Sequence, residues 1–303
     1  MPEVDRKQTR SKAPGISVIV PTFKDWHLLQ LCLDCLADQS IGQDKFEVIV
    51  ANNNLSDEIP SSLRLAANAR VVHAAKPGSY TARNVAIAKA TGDVFFFTDS
   101  DCLPDRQWIE AGLAELSGLG PLGRVAGAVE LFPSGQKWTG PELFERLNAF
   151  RVEFYVSCGW GITANLGVRR AAFDLVGPFD DTYFSGGDRD WNLRAKAHGC
   201  ELAFCAKAIV RHPARATFSD LARKRRRVLG GQHQDEIRGN IAKGGLFGHL
   251  FPFQLKDVRR IAVSPGLSNW QILQVLWVTY LLGIVSFVEV FRLRHLSGRA
   301  RRS

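Results

Sequence analysis

Cysteine is sparse. Six thiols (Cys32, Cys35, Cys102, Cys158, Cys200 and Cys205) are spread over 303 residues, too thinly for a disulfide-stapled scaffold. The opening MPEVDRKQTRSKAPG contains no apolar stretch, so an export signal is not expected and a reducing, cytoplasmic setting is. No Gly-x-Gly-x-x-Gly follows any apolar run, which argues against a dinucleotide-dependent dehydrogenase. The segment PTFKDW, closing the first such run, holds no glycine. That disfavours a nucleotidyltransferase built around a Gly-rich phosphate loop. Internal repeats are absent. A mean hydropathy of −0.07 excludes a polytopic membrane protein, and a composition 46% hydrophobic and 23% charged excludes disorder and low complexity.

What the chain has in excess is positive charge, +9 at pH 7. That suits an anionic partner: a phosphorylated ligand, an acidic membrane surface or nucleic acid. The densest basic run is Arg223–Lys224–Arg225–Arg226–Arg227. Diphosphate, an anionic lipid surface and nucleic acid compete for it; no interleaved aromatics or groove-reading motif accompany it, so nucleic acid is not expected as a partner and a diphosphate clamp or a lipid surface stays open. Cys32 and Cys35 form a Cys-x-x-Cys, but they lie in the helix-patterned LLQLCLDCLADQ with no second pair at zinc-ligand spacing. Two small apolar side chains on one helix face is the expected reading.

Residues 1–14 are polar and basic and read as a disordered arm. From residue 16 apolar runs alternate with helical spacing. ISVIVPTF, FEVIVA, RVVHAA and VFFFT read as strands. The segments Trp26–Ala37, Glu58–Ala67 and Tyr80–Ala90 read as helices, with Ser79 as an N-cap and Gly92 as a C-terminal stop. Continuous β-branched runs suit strands buried on both faces. The expected class is therefore α/β, a Rossmann-like, mostly parallel sheet flanked by helices. Later segments read as a helix from Pro104 to Leu116, a strand RVAGAVELF and a helix over 141–157. A strand in ITANLGV, helices in RRAAFDLV and Asp188–Ala197, and two short strands, ELAFC and AIVRH, follow. Ligands of such sheets bind at the carboxyl ends of the strands. Those ends carry Pro21–Thr22–Phe23, Asn52–Asn53–Asn54 and Asp99–Ser100–Asp101.

In an extended segment Asp99 and Asp101 point the same way. Two such carboxylates beyond a buried strand offer hard oxygen ligands to Mg2+ or Mn2+, ions that bridge carboxylates to substrate phosphates. A bare Asp-x-Asp is also compatible with Asp101 merely capping the next helix. The surrounding segments narrow the choice. SVIVPTFKDWHLLQLCLDCLADQS, FEVIVANNNLSDE, KPGSYTARNVAIAKATGDVFFFTDSDCLPDRQWIE, TANLGVRRAAFDLVGPFD and SGGDRDWNLRAKAHG occur in that order over about residues 15–215. Together they resemble glycosyltransferase family 2, inverting nucleotide-sugar transferases of the GT-A fold.

The resemblance implies roles for individual residues. Pro21, Thr22 and Phe23 would line the nucleoside pocket. Asn52 stands where the family usually has an Asp that binds the nucleobase or ribose; an amide donates as well as accepts. Arg83 would lie near the nucleotide, and Asp99, Ser100 and Asp101 would hold ribose, diphosphate and metal. Asp188, with Gly187 in place of the usual Glu, would be the base that deprotonates the acceptor. Asp190 also suits a helix N-terminus. His212, closing Val210–Arg211–His212, would add a metal ligand. Implied partners are a nucleotide-sugar donor, with uridine the expected base, and a glycan or lipid-linked acceptor.

The expected organisation is a catalytic domain over 15–215, with a nucleotide-sugar half over 15–101 and an acceptor half over 102–215, then a basic, helical extension over 216–303. Within the extension, ILQVLWVTYLLGIVSFVEVF (272–291) is long enough to cross a bilayer. Lys256, Arg259 and Arg260 precede it and Arg292, Arg294, Arg299, Arg301 and Arg302 follow. Basic flanks on both sides resist a single crossing and favour an in-plane helix on the anionic cytoplasmic leaflet.

Overall fold

The computed structural model describes residues 15–54, 56, 58–240, 261 and 266–296. The arm expected at 1–14 and the basic flanks at 256–260 and 299–302 lie outside the described residues. The strands are β1 (Ile16–Thr22), β2 (Phe46–Asn52), β3 (Ala69–His73), β4 (Val94–Phe97), β5 (Leu103–Pro104), β6 (Arg124–Phe132), β7 (Leu166–Arg169) and β8 (Leu202–Pro213). The helices are α1 (Trp26–Ala37), α2 (Ser79–Ile87), α3 (Trp108–Ser117), α4 (Gly140–Asn148), α5 (Val152–Ser157), α6 (Arg170–Val176), α7 (Gly187–Ala197), α8 (Phe218–Ile237) and α9 (Asn269–His295).

One eight-stranded sheet runs β3-β2-β1-β4-β7-β6-β8-β5. β1 to β4 are mutually parallel, β7 lies antiparallel between β4 and β6, and β8 runs parallel to β6. The class is the expected α/β. Period-2 alternation sorts side chains between two cores. Val18, Val20, Val48, Val50 and Phe96 join α1 and α3 on one face. Ile19, Ile49, Phe95, Phe97 and Val168 join α2, α6 and α7 on the other. Each large buried side chain contributes about 1.5–3 kcal/mol. Cys32 is buried in the first core and no cysteine is bridged; burial pushes its thiol pKa up. The Cys-x-x-Cys is packing, as expected.

Several local expectations are corrected, the helix expected from Pro104 among them: Pro104 ends β5 and α3 starts at Trp108. Residues 58–67 form turns rather than a helix, because Pro60 lacks an N–H and disfavours a helical Ile59; Leu63 N donates to Pro60 O instead. Ser79 is the first helical residue, and Gly78, at φ 144°, is the cap. Gly92 lies beyond α2, where a Cβ would come within 2.5 Å of the Ile16 carbonyl carbon; close approach to β1 is what requires glycine there. The helix over 141–157 is two, broken at Phe150, whose φ is +53°.

The two strands expected after residue 200 are one, β8. It is interrupted where Gly127 and Ala128 pair with Cys205 and Ile209. Gly127 permits this bulge: a Cβ would lie 2.2 Å from Ala208 O. Beyond the sheet, α8 and α9 pack together and α9 rests on α4.

Candidate active site

A cleft of about 1330 Å³ opens at the carboxyl edge of β1 and β4. Its floor includes Pro21, Thr22 and Phe23 after β1, and Asp99, Ser100 and Asp101 after β4. Arg83, Asp188 and His212 also line it. One turn-forming residue on this wall, Lys24, has φ +62°, and Phe150 on the opposite wall has φ +53°. Among the described residues these are the two non-glycines in the left-handed region, and strain of this kind collects at functional sites. Thr22 Oγ1 is buried without a hydrogen-bond partner, and Phe23 is exposed at the cleft mouth.

The two aspartates expected at the β4 tip have different partners. Asp99 is ion-paired to the buried guanidinium of Arg83. Asp101 Oδ2 faces His212 Nε2 at 3.4 Å. His212 Nδ1 lies 2.7 Å from Pro213 O. A carbonyl only accepts, so Nδ1 donates to it and Nε2 is the ring nitrogen turned toward Asp101. Cys102 Sγ completes a cluster whose ligand atoms lie within 4.8 Å of one another. Burial pushes its thiol pKa up, with Asp101 and Asp99 adding to the shift, and soft sulfur is in any case a poor ligand for hard Mg2+ or Mn2+. A carboxylate beside an imidazole nitrogen fits Mn2+ or Mg2+, Mn2+ better. Asp99, expected to share the ion, stands outside this cluster.

Asp188 opens α7 across the cleft. Arg189 N donates to its Oδ1 at 2.9 Å, Tyr80 Oη to Oδ1 at 3.3 Å, and Thr163 N to Oδ2 at 3.4 Å. Burial raises its pKa above the ordinary 3.8; Arg83 and the backbone donors oppose the shift. The place of the missing Glu side chain is filled: a Cβ on Gly187 would meet the Tyr80 ring at 2.7 Å.

Asn52 is turned away from the cleft. It is fully buried, and its Oδ1 accepts from Asn54 N and Asn54 Nδ2. Asn53 lines the cleft in its place, its amide latching Ala74 O, Lys76 O and Gly78 N. Sequence reasoning missed Asp25. It lines the cleft, and Ser100 Oγ donates to its Oδ2 at 2.7 Å. Burial raises its pKa, and Asp101 and Asp99 add to the shift. The available signal was a carboxylate three residues after the end of β1, immediately before α1.

A mixed sheet of this order, with its cleft at the strand ends, is the GT-A architecture of glycosyltransferases. Known proteins agree. Glycosyl transferase family 2 matches residues 17–177. Glycosyltransferase AglE of Haloferax volcanii is 34% identical over 231 residues, 74% of this chain and 75% of that one. A PGL/p-HBAD biosynthesis glycosyltransferase of Mycobacterium tuberculosis is 26% identical over 193 residues, 60% and 70% of the two chains. Two solved structures share the fold. The mannosyltransferase PcManGT from Pyrobaculum calidifontis, in complex with GDP-Man and Mn2+, superposes with a TM-score of 0.61 at 19% identity, covering 94% and 89%. S. aureus TarS 1-349 in complex with UDP-GlcNAc gives 0.52 at 16%, covering 92% and 91%. The chain belongs to glycosyltransferase family 2. It is a glycosyltransferase.

Proposed function

We propose that the protein transfers a sugar, with inversion, from a nucleoside-diphosphate donor to a glycan or lipid-linked acceptor of the cell envelope or a polysaccharide. The observation that carries this reading is the pairing, in one cleft, of a cation-ready Asp101–His212 couple with a desolvated Asp188. Thr22, with its free hydroxyl, and Phe23 take the nucleoside, and Arg83 anchors Asp99 beside the ribose and diphosphate. Asp188 removes the acceptor hydroxyl proton as that oxygen attacks the anomeric carbon and the C–O bond to the diphosphate breaks. A single displacement inverts the centre, and no protein nucleophile is needed. Mn2+ or Mg2+ held by Asp101 and His212 would supply positive charge to the leaving diphosphate. Uridine is the expected base; the neighbours were solved with GDP-Man and with UDP-GlcNAc, so the test includes both.

We further infer attachment to the cytoplasmic membrane face through α9. Trp270, Leu273, Trp277, Tyr280, Ile284, Val288 and Phe291 are exposed and fall on one stripe. The other side, including Val275, Val278, Leu282, Glu289 and Leu293, is buried in the protein, and Glu289 is paired to Arg292. A helix that is long and apolar enough to span, yet has one side packed on the protein, suits the interface plane better.

The test is a screen of nucleotide-sugar hydrolysis with Mn2+, followed by the best donor against membrane-lipid extracts. The reading predicts metal-dependent release of UDP or GDP, stimulated by extract, with inverted product. Absence of nucleotide release with every donor overturns it.

A further inference from the structure

Positive charge in the cleft is unevenly balanced. Arg83 is paired with Asp99 and Arg189 with Asp235. On the α8 wall, Arg215 Nη1 and Lys224 Nζ share the one carboxylate of Glu145, at 2.5 and 2.8 Å. Burial, aided by Arg215 and Arg227, pulls the Lys224 pKa down to about 8 against the pull of Glu145. Arg225 has one neutral partner, its Nε donating to Ser286 Oγ of α9 at 2.7 Å. Arg227 has none at its buried Nε, and neither arginine makes an ion pair among the described residues. Both side chains are half-buried in the cleft wall, and a guanidinium there without a carboxylate offers an anion its fork, whose geometry matches phosphate.

We propose that Arg225 and Arg227 form a phosphate site for a lipid-linked acceptor on the α8 wall of the cleft. This rests on the glycosyltransferase reading above and names its acceptor class. Two placements favour the acceptor over the donor. Arg189, the neighbour of Asp188, is ion-paired to Asp235 of α8, so the α8 wall that carries Arg227 adjoins the base. Arg225 is tied to α9, and the cleft continues there along Leu221, Thr279, Leu282 and Gly283. A phosphate held by the arginines thus leads on to apolar wall, and the opposite face of α9 carries the exposed apolar stripe.

Binding to the full-length protein decides the matter, with geranyl phosphate, geraniol, inorganic phosphate and UDP plus Mn2+ as probes. Geranyl phosphate should bind in the presence of saturating UDP and Mn2+, at least about tenfold more tightly than geraniol or inorganic phosphate. Arg227→Gln should weaken geranyl phosphate about tenfold and leave UDP affinity within about twofold. Arg225→Gln should do the same where its melting temperature is unchanged, and Arg225→Lys serves where it is not. Competition between UDP and geranyl phosphate, or an equal loss of UDP affinity in the variants, assigns the arginines to the donor diphosphate and overturns the proposal. Equal binding of geraniol or of inorganic phosphate overturns it as well. Failure of the wild type to bind UDP or GDP would count against the transferase reading, while geranyl phosphate binding would still decide this site.

Discussion

Tyr80 and Asp188 meet across the cleft at 3.3 Å, the phenol donating to Oδ1. Gly187 makes room for the ring, since a Cβ there would lie 2.7 Å from it. Asp188→Asn removes the base while retaining shape, so transfer should fall by a factor of about 10²–10⁴ with nucleotide binding intact. Steady-state kinetics beside UDP titration checks both, and full transfer in the variant removes Asp188 from the role.

The raised pKa of Asp188 has a definite sign. As a base it works deprotonated, so kcat/KM should decline on the acid side at a pH above the ordinary aspartate value of 3.8. Tyr80→Phe deletes a donor to the charged form and should move that limb further up, by less than about one pH unit. A limb that stays put, or moves down, argues against the hydrogen bond.

Metal holding should depend on both partners of the 3.4 Å couple. UDP with Mn2+ should raise the melting temperature of the wild type, by about 2.7 kcal/mol of stabilisation at roughly a hundred times Kd. Asp101→Ala should abolish that gain and His212→Ala reduce it. Differential scanning fluorimetry with UDP alone as control reads the difference.

Glu145 ties α4 to Arg215 and to Lys224 of α8. Burial opposes its ionisation, but the two cations prevail and hold its pKa at about 2 instead of 4.5. A depressed carboxyl contributes stability that is complete above pH 4.5 and lost as pH falls toward about 2. Glu145→Gln should therefore destabilise by about 3–5 kcal/mol near neutrality and flatten the acid limb of the stability curve. Chemical denaturation at several pH values measures it.

Replacing Trp270, Trp277 and Tyr280 with Ser should shift the protein from the membrane pellet to the supernatant after lysis at low salt. These side chains are exposed, so the fold should survive, and unchanged circular dichroism would confirm that. An unaltered pellet fraction counts against attachment through this face.

The strands were legible because β1, β2 and β4 are buried on both faces and so read as unbroken apolar runs. Asp99 and Asp101 stood out because topology alone delivers strand ends to one edge, whereas Asp188 was legible only through the family resemblance of SGGDRDWNLRAKAHG. The helix expected over residues 58–67 and the unbroken one over 141–157 failed for different reasons. Pro60 is a local breaker that periodicity overruled; Phe150 is held at φ +53° with its ring 4.9 Å from His212, a contact with no local trace. Asp25 was passed over because it is one polar residue in a loop, where its Oδ1 accepts from Phe23 N; it is Ser100, 75 residues away, that ties it to the β4 tip.

Sequence by itself determined the sheet, the cleft edge and the family. Those follow from short-range alternation and from segments whose order survives in one dimension. Tertiary structure alone decided which aspartate faces His212, that Asn52 turns inward while Asn53 faces the cleft, and that Arg225 and Arg227 have no carboxylate partner among the described residues. Each of those depends on where distant elements bring a few side-chain atoms within hydrogen-bond range, and charge balance in a cleft is a property of volume, which spacing along a chain does not encode.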